Sequence, residues 1–150
     1  RDRSVSRGLG DVYKRQRIAR GAFFIFVRKV GLKPGEMAIG LKIPYVEGQK
    51  AVFTKFDRRK EVDLSTVCAT VGKFGEDYRV AIGSCAPTPI RLPKTEALLK
   101  GKKLTPELIG EAAELAGSEV SPISDVRASA EYRISLVKVA VRRSLAELSV

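Results

Sequence analysis

Tyr78–Gly101 reads YRVAIGSCAPTPIRLPKTEALLKG, and it predicts a strand, a proline-rich crossing and a helix in close succession. Apolar residues alternate with other residues over Tyr78–Ile82, which is the period of a strand that buries one face. Three prolines between residues 87 and 93 then remove backbone donors, so neither a ladder nor a helix is expected to continue through them. A short helix is predicted over Thr95–Leu99, where Gly101 ends it.

Apolar alternation and β-branched residues before this stretch predict an antiparallel meander of three or four strands. The strands are expected at Met37–Ile43, Ala51–Phe56 and Thr66–Lys73, followed by the strand that begins at Tyr78. Polar residues, proline and glycine between them are typical of turns, as at Lys33–Glu36. Phe23–Val27 is a further apolar stretch, which predicts either a strand or a buried segment.

Two longer helices are predicted after this stretch. Thr105, Pro106 and Glu107 form a strong helix start, and Gly117 is expected to end that helix. The last helix is expected over roughly Ser129–Leu148, with one buried apolar stripe. The stripe contains Ile134, Val137, Val141, Leu145 and Leu148, whereas Arg133, Lys138, Arg142 and Arg143 occupy other positions. The pattern as a whole predicts an α+β fold.

The composition favours one domain and excludes several chemistries. A chain of 150 residues can bury a real core but hardly two. No run approaches the ~20 apolar residues of a membrane helix, and no signal peptide is recognised, so we expect a cytoplasmic location. The chain has no histidine, which excludes a histidine-based triad and leaves too few ligands for a zinc site. Cys68 and Cys85 are expected to be buried, reduced thiols.

The formal net charge of +11 raises the possibility of nucleic-acid binding. Residues 1–20 carry +5 of it, so the remaining 130 residues are only moderately basic. Recognition of bases would need aromatic side chains beside the cations. Phe53 and Phe56 flank Lys55, but a strand places them on opposite faces, which favours mixed burial over a stacking surface.

Arg1–Gln16 has no apolar period and reads as a flexible basic arm. The whole segment also resembles the conceptual translation of a sequencing-library adapter. We therefore expect the natural chain to start near Arg17, with its true N-terminal part missing.

Lys55 and the pair Arg58 and Arg59 lie where a strand is expected to end. A cation at such a place can stabilise an anion or polarise a carbonyl in a neighbouring site. The alternative is a rim of solvated charges, since loops collect exposed charge. Asp57, Glu61 and Asp63 are expected to be solvated as well, because charged residues are mostly exposed.

Eight short motifs occur in an order that resembles a known family. They are Phe23-Phe24, Leu32-x-Pro-Gly-Glu36, Ile43-Pro44, Lys55-x-x-x-Arg59 with Asp63, Tyr78-Arg-Val-x-x-Gly83, Ala86-Pro-x-Pro89, Thr95-Glu96-x-x-Leu99-x-Gly101 and Asp125-x-Arg127-x-Ser-Ala130-x-Tyr132-Arg133. From Phe23 to the end, the chain is similar to the C-terminal domain of the FAD-binding (medium) subunit of molybdenum hydroxylases, the xanthine dehydrogenase and carbon monoxide dehydrogenase group.

The resemblance implies a fold and a function. The implied fold is a small antiparallel sheet of three to four strands packed against about three helices. The implied function is that of an oxidoreductase complex, in which electrons pass from a molybdopterin centre through two iron–sulfur clusters to FAD and then to an external acceptor. An iron–sulfur subunit and a large molybdopterin-binding subunit are the implied partners, with no role for nucleic acid or membrane.

The resemblance also implies domain limits and a site. Residues 17–46 would be the end of the FAD-binding domain with a connecting strand, and residues 47–150 the flavoprotein C-terminal domain. Lys55 and Arg59 would face the flavin, and the strand edge at Ala38 would approach it. Most FAD contacts would come from the missing N-terminal domain, so the fragment alone is expected to be inactive. The alternative function is a small basic module that binds RNA or anions through the region 55–60 and the last helix.

Overall fold

The structure is a computed structural model and describes residues 18, 23–43, 45–59 and 62–149. The predicted arm or adapter segment, residues 1–16, lies outside the described residues. The chain divides into two compact units, Arg1–Leu41 and Lys42–Val150. The predicted domain limits, 17–46 and 47–150, stay a prediction.

The first unit contains a small hairpin. Strand β1 (Phe24–Phe26) pairs antiparallel with β2 (Lys29–Val30), so the strand alternative for Phe23–Val27 is confirmed. The predicted turn at Lys33–Glu36 is also present, because the Glu36 amide donates to the Lys33 carbonyl at 3.0 Å.

The strand predicted over Met37–Ile43 is wrong. Residues 36–43 have no regular secondary structure, and among the described residues no strand pairs with them. Alternation suits a sheet surface, but a strand also needs a partner for its backbone hydrogen bonds. Ala38 therefore does not lie on a strand edge.

The second unit contains an antiparallel sheet in the order β3-β4-β5-β6. Its strands are β3 (Lys50–Phe56), β4 (Val67–Phe74), β5 (Asp77–Gly83) and β6 (Ile90–Arg91). The register places Lys55 opposite Cys68, and Cys68 opposite Gly83. A two-residue turn at Gly75 and Glu76 joins β4 to β5.

Strand β6 contradicts the expectation that the proline crossing carries no ladder. Ile90 and Arg91 pair with Ile82 and Ala81 between the prolines, and the next amide, that of Leu92, donates to the Val80 carbonyl at 3.0 Å. The three residues between the prolines keep their backbone N–H groups, so a short edge strand is possible there.

Three helices cover one face of the sheet. They are α1 (Pro93–Leu99), α2 (Pro106–Ser118) and α3 (Ala130–Leu148). Helices α1 and α3 pack on the strands, and α2 packs on α1 and α3. The core lies between these layers, where the inward residues of β4 and β5 meet the buried stripe of α3. The predicted α+β fold is confirmed.

Two details of the helices differ from expectation. Helix α2 continues through Gly117 to Ser118, and Gly117 lies close to α3, since a Cβ there would lie 2.6 Å from Cε of Lys138. Arg133 is buried at 2% exposure although it lies off the predicted apolar stripe. The predicted starts at Thr105 and Ser129 are confirmed, because their hydroxyls accept from the amides of Leu108 and Tyr132.

Candidate functional site

The end of β3 presents Lys55 on the sheet face opposite the helices. Its neighbours Thr54 and Phe56 face the helix layer, where the Thr54 hydroxyl lies 3.0 Å from that of Ser144. Since successive side chains of a strand alternate between faces, Lys55 lies on the other face together with Phe53, which is 64% exposed. Lys55 is thus directed away from the core.

The Lys55 ammonium is held in place rather than left free. Its Nζ donates to the backbone carbonyl of Asp63 at 2.8 Å and lies 3.0 Å from Oδ2 of Asp57. The Lys55 side chain remains 34% exposed. An ammonium has three donor hydrogens; one is donated to Asp63, and the contact with Asp57 is an ion pair. The group is therefore fixed and still accessible to an outside acceptor.

Asp63 organises the loop that follows β3. Its carboxylate accepts from the backbone amides of Arg58, Arg59 and Leu64 at 2.9–3.0 Å. Partial desolvation opposes ionisation of Asp63, but these three hydrogen bonds and the charge of Arg59 keep its pKa below the ordinary value. The carboxylate stays anionic and fixes the loop that supplies the acceptor for Lys55.

The expectation of solvated acidic residues holds for Asp57, which is exposed, whereas Asp63 also has a structural role in its loop. Asp57 pairs with Lys55, and Asp63 is half-buried in its own loop; Glu61 lies outside the described residues. An aspartate that accepts from nearby backbone amides is a common turn-forming pattern. The run from Arg58 to Leu64 could have suggested this role for Asp63.

The three predicted site residues belong to two different units of the chain. Lys55 and Arg59 lie in the second unit, four residues apart, whereas Ala38 belongs to the first unit. The Arg59 side chain is exposed, and its charge acts on the Asp63 carboxylate. All three remain predictions as site residues.

The surface beside Lys55 is built from small residues. In the cross-strand row Lys55–Cys68–Gly83, the approach is so close that a Cβ on Gly83 would lie 2.6 Å from Sγ of Cys68. Both cysteines are free, as expected, although Cys68 is only half-buried. This row leaves a low surface next to the ammonium.

Two clefts of the second unit lie away from Lys55. One of about 320 Å³ is lined by residues of the β4–β5 turn, the α1–α2 connection and the end of α3, including Lys73, Gly101 and Leu148. Another, of about 270 Å³, lies beside β5 and α1. Lys55 lines neither of them.

Residues 51–148 match the family described as the CO dehydrogenase flavoprotein C-terminal domain. This chain belongs to that family. The match contains nearly all of β3, the loop after it and helices α1, α2 and α3, and it confirms the resemblance inferred from the motifs. Nothing in the comparisons supports the alternative of an RNA- or anion-binding module.

Named relatives of this flavoprotein domain are subunits of dehydrogenases. The xanthine dehydrogenase FAD-binding subunit of Escherichia coli O157:H7 is 30% identical over 127 residues, which is 79% of this chain and 43% of that subunit. The glyceraldehyde dehydrogenase medium chain of Sulfolobus acidocaldarius is 31% identical over 119 residues, which is 77% of this chain and 42% of that one.

A solved relative shares the fold. It is the carbon monoxide dehydrogenase from Hydrogenophaga pseudoflava in a form that lacks the Mo-pyranopterin moiety of its cofactor. The TM-score is 0.75 at 28% identity, over 84% of this chain and 46% of that chain. This flavoprotein domain chain thus spans less than half the length of these relatives.

FAD is the cofactor that the family implies, and the residues around Lys55 fit one edge of such a group. The ammonium is fixed, carries a donor that the described contacts leave over, and lies above a low surface that a flat ring could approach. Of the residues described, no cluster of three His, Cys, Asp or Glu side chains could hold a metal ion. In this same part of the chain, no helix is both long and apolar enough to cross a membrane.

Proposed function

We propose that this chain is the C-terminal part of the FAD-binding subunit of a molybdenum hydroxylase-type oxidoreductase. The observation that carries the proposal is that the family match over residues 51–148 contains the anchored ammonium of Lys55. The name of the Escherichia coli relative, an FAD-binding subunit, supports the cofactor, and that relative is more than twice as long as the matched part. Residues 47–150 would be the flavoprotein C-terminal domain and residues 17–46 the end of the preceding domain.

When bound, FAD would supply electron transfer between iron–sulfur clusters and an external acceptor. Lys55 would face the pyrimidine edge of the flavin ring, where reduction builds negative charge, and its ammonium would favour the reduced form. The bonds to Asp63 and Asp57 would keep the charge in place without reorganisation. Arg59 would add a second positive charge from the loop that follows β3, and the backbone at Ala38 is proposed as a further flavin contact.

The proposed partners are an iron–sulfur subunit and a large molybdopterin-binding subunit. The relatives are medium chains or FAD-binding subunits, which supports a multi-subunit assembly. The Hydrogenophaga enzyme uses a molybdenum cofactor, whose Mo-pyranopterin moiety its solved form lacks, and this supports the identity of the large partner. A cytoplasmic location is proposed with them and is supported by the two free cysteines.

The test is to express the complete gene with its partner genes and to measure bound flavin and its midpoint potential. We expect about one FAD per subunit. Lys55→Met should make the flavin harder to reduce, whereas Lys50→Met, a lysine at the other end of the same strand, should leave the potential unchanged. A flavin-free complex would contradict the proposed function, and an unchanged potential in Lys55→Met would remove Lys55 from the site.

A further inference from the structure

Arg133, in the first turn of α3, is a charged residue buried in the helix layer. It is 2% exposed, and burying a guanidinium is costly unless its donors find partners. Its partners therefore indicate why the position is charged.

The Arg133 guanidinium connects three segments. Its Nη1 donates to the backbone carbonyls of Thr66 and, at 3.1 Å, Ser84. Its Nη2 donates to Oδ1 of Asp125 at 2.8 Å, while Nε has no partner among the described residues. Thr66 directly precedes β4 and Ser84 directly follows β5. One side chain thus ties the start of one strand to the end of the next.

These two strand ends lie at the Lys55 end of the sheet. The Thr66 amide donates to the Phe56 carbonyl at 2.8 Å, which closes the loop between β3 and β4 next to Lys55. Ser84 follows Gly83, the residue in the same cross-strand row as Lys55. Arg133 therefore binds the Thr66 backbone, where the loop closes, from the helix side of the sheet, while the Lys55 ammonium lies on the opposite face of the sheet.

Asp125 holds the guanidinium in one orientation. Its carboxylate also accepts from the backbone amides of Arg127 and Ala128 and from the Arg127 side chain. The bonds from Arg127 and those from Arg133 and Ala128 keep the pKa of Asp125 well below its usual range. The carboxylate is thus a fixed anion across the neutral range, and Arg133 has little freedom to swing away.

The backbone of Ser84, whose carbonyl accepts from Arg133, has an unusual conformation. Its φ of +65° lies in the left-handed region, which a residue with a Cβ rarely adopts. Such a conformation persists where surrounding contacts hold it. Here the Ser84 carbonyl is one of the two backbone carbonyls that accept from Arg133.

We propose that Arg133, held by Asp125, is a positioning residue: it fixes the β3–β4 loop whose Asp63 carbonyl holds the Lys55 ammonium toward the flavin. The effect on the flavin rests on the proposed function, whereas the hydrogen bonds from Arg133 to the loop backbone do not depend on it. Arg133 itself touches neither Lys55 nor the open face; it acts through the Thr66 and Phe56 backbone.

The experiment uses the full-length protein with bound FAD in wild-type, Arg133→Met and Arg133→Lys forms. Lysine keeps the charge but lacks the forked donors that reach several acceptors at once, so it serves if the methionine variant does not fold. Leu99→Ala is the control, because it removes a fully buried side chain of α1 without touching the loop. Amide hydrogen exchange and the flavin midpoint potential are measured for each.

In the Arg133 variants, the Thr66 and Leu64 amides should exchange roughly tenfold faster, the effect of losing about one charge-assisted hydrogen bond. The potential should fall in the same direction as in Lys55→Met but by less, and Leu99→Ala should lower thermal stability without moving the potential. Unchanged exchange at Thr66 would overturn the proposal. A potential that moves in Lys55→Met but not in the Arg133 variants would overturn it while leaving the proposed function intact. A potential unmoved in all variants would overturn both the positioning role and the placement of Lys55.

Discussion

Replacing Cys85 with alanine should make the free energy of unfolding less sensitive to alkaline pH. The Cys85 side chain is fully buried, directly after Ser84. Burial raises the pKa of its thiol from 9.0 to about 11; the nearby Arg133 works against this rise and Cys68 adds to it. The folded protein therefore keeps a proton that the unfolded chain loses at a lower pH.

The sign and size of the effect follow from this difference. Stability from the neutral thiol is complete below the unfolded pKa of 9.0 and is lost as pH rises toward about 11. Between about pH 8 and pH 10 the loss is about 1.4 kcal/mol, because one pKa unit corresponds to ~1.36 kcal/mol.

Urea unfolding of wild type and Cys85→Ala at these two pH values measures the effect. The stability difference between the two proteins should shrink by about 1.4 kcal/mol at the higher pH. Val71→Ala, which also removes a fully buried side chain but no titrating group, should show a constant difference from wild type. A constant difference for Cys85→Ala as well would refute the argument that this thiol is buried and neutral.

Two further predictions concern the surroundings of Lys55. Gly83→Ala should destabilise the protein by about 1–3 kcal/mol, since its new Cβ would clash with Sγ of Cys68. Adding Cys68→Ala should relieve most of this loss of stability. If the effects of the two substitutions are simply additive in a double-mutant cycle, Gly83 and Cys68 are not in the close contact described. Asp63→Asn should make the free energy of unfolding less sensitive to acid. Because the pKa of Asp63 is lowered in the folded protein, the stabilisation from its carboxylate is lost as pH falls below about 4. The unfolding curves of wild type and variant should therefore converge in acid, and parallel curves would contradict the role of Asp63 in fixing the loop.

Much of the sheet could be predicted because alternation and turn residues agree with each other. The strands at Ala51–Phe56 and Thr66–Lys73 have both signals and form almost as expected. Met37–Ile43 has the alternation alone, and period does not reveal whether a partner strand exists. The short strand at Ile90–Arg91 shows the reverse case, since local proline signals hide a pairing that tertiary contact provides.

The candidate site is predictable in its cation but only in part in what holds it. Lys55 is recognisable from its place at a strand end, and Asp63 from the turn-forming habit of aspartate, whereas the role of Arg133 depends on distant backbone groups that the sequence does not display. Arg133 lies four residues before the buried Val137, on the buried face of α3, but a stripe read from apolar residues alone omits it, since charged residues are mostly exposed. Its partners Thr66 and Ser84 are distant in sequence and meet it only in the fold.

The most direct measurement is an experimental structure of the full-length protein with FAD bound. Lys55 Nζ should lie within hydrogen-bonding distance, about 2.7–3.2 Å, of an atom at the pyrimidine edge of the flavin, while keeping its bond to the Asp63 carbonyl. A flavin ring bound elsewhere, with the Lys55 ammonium facing only solvent or another protein surface, would contradict the proposed role of this domain.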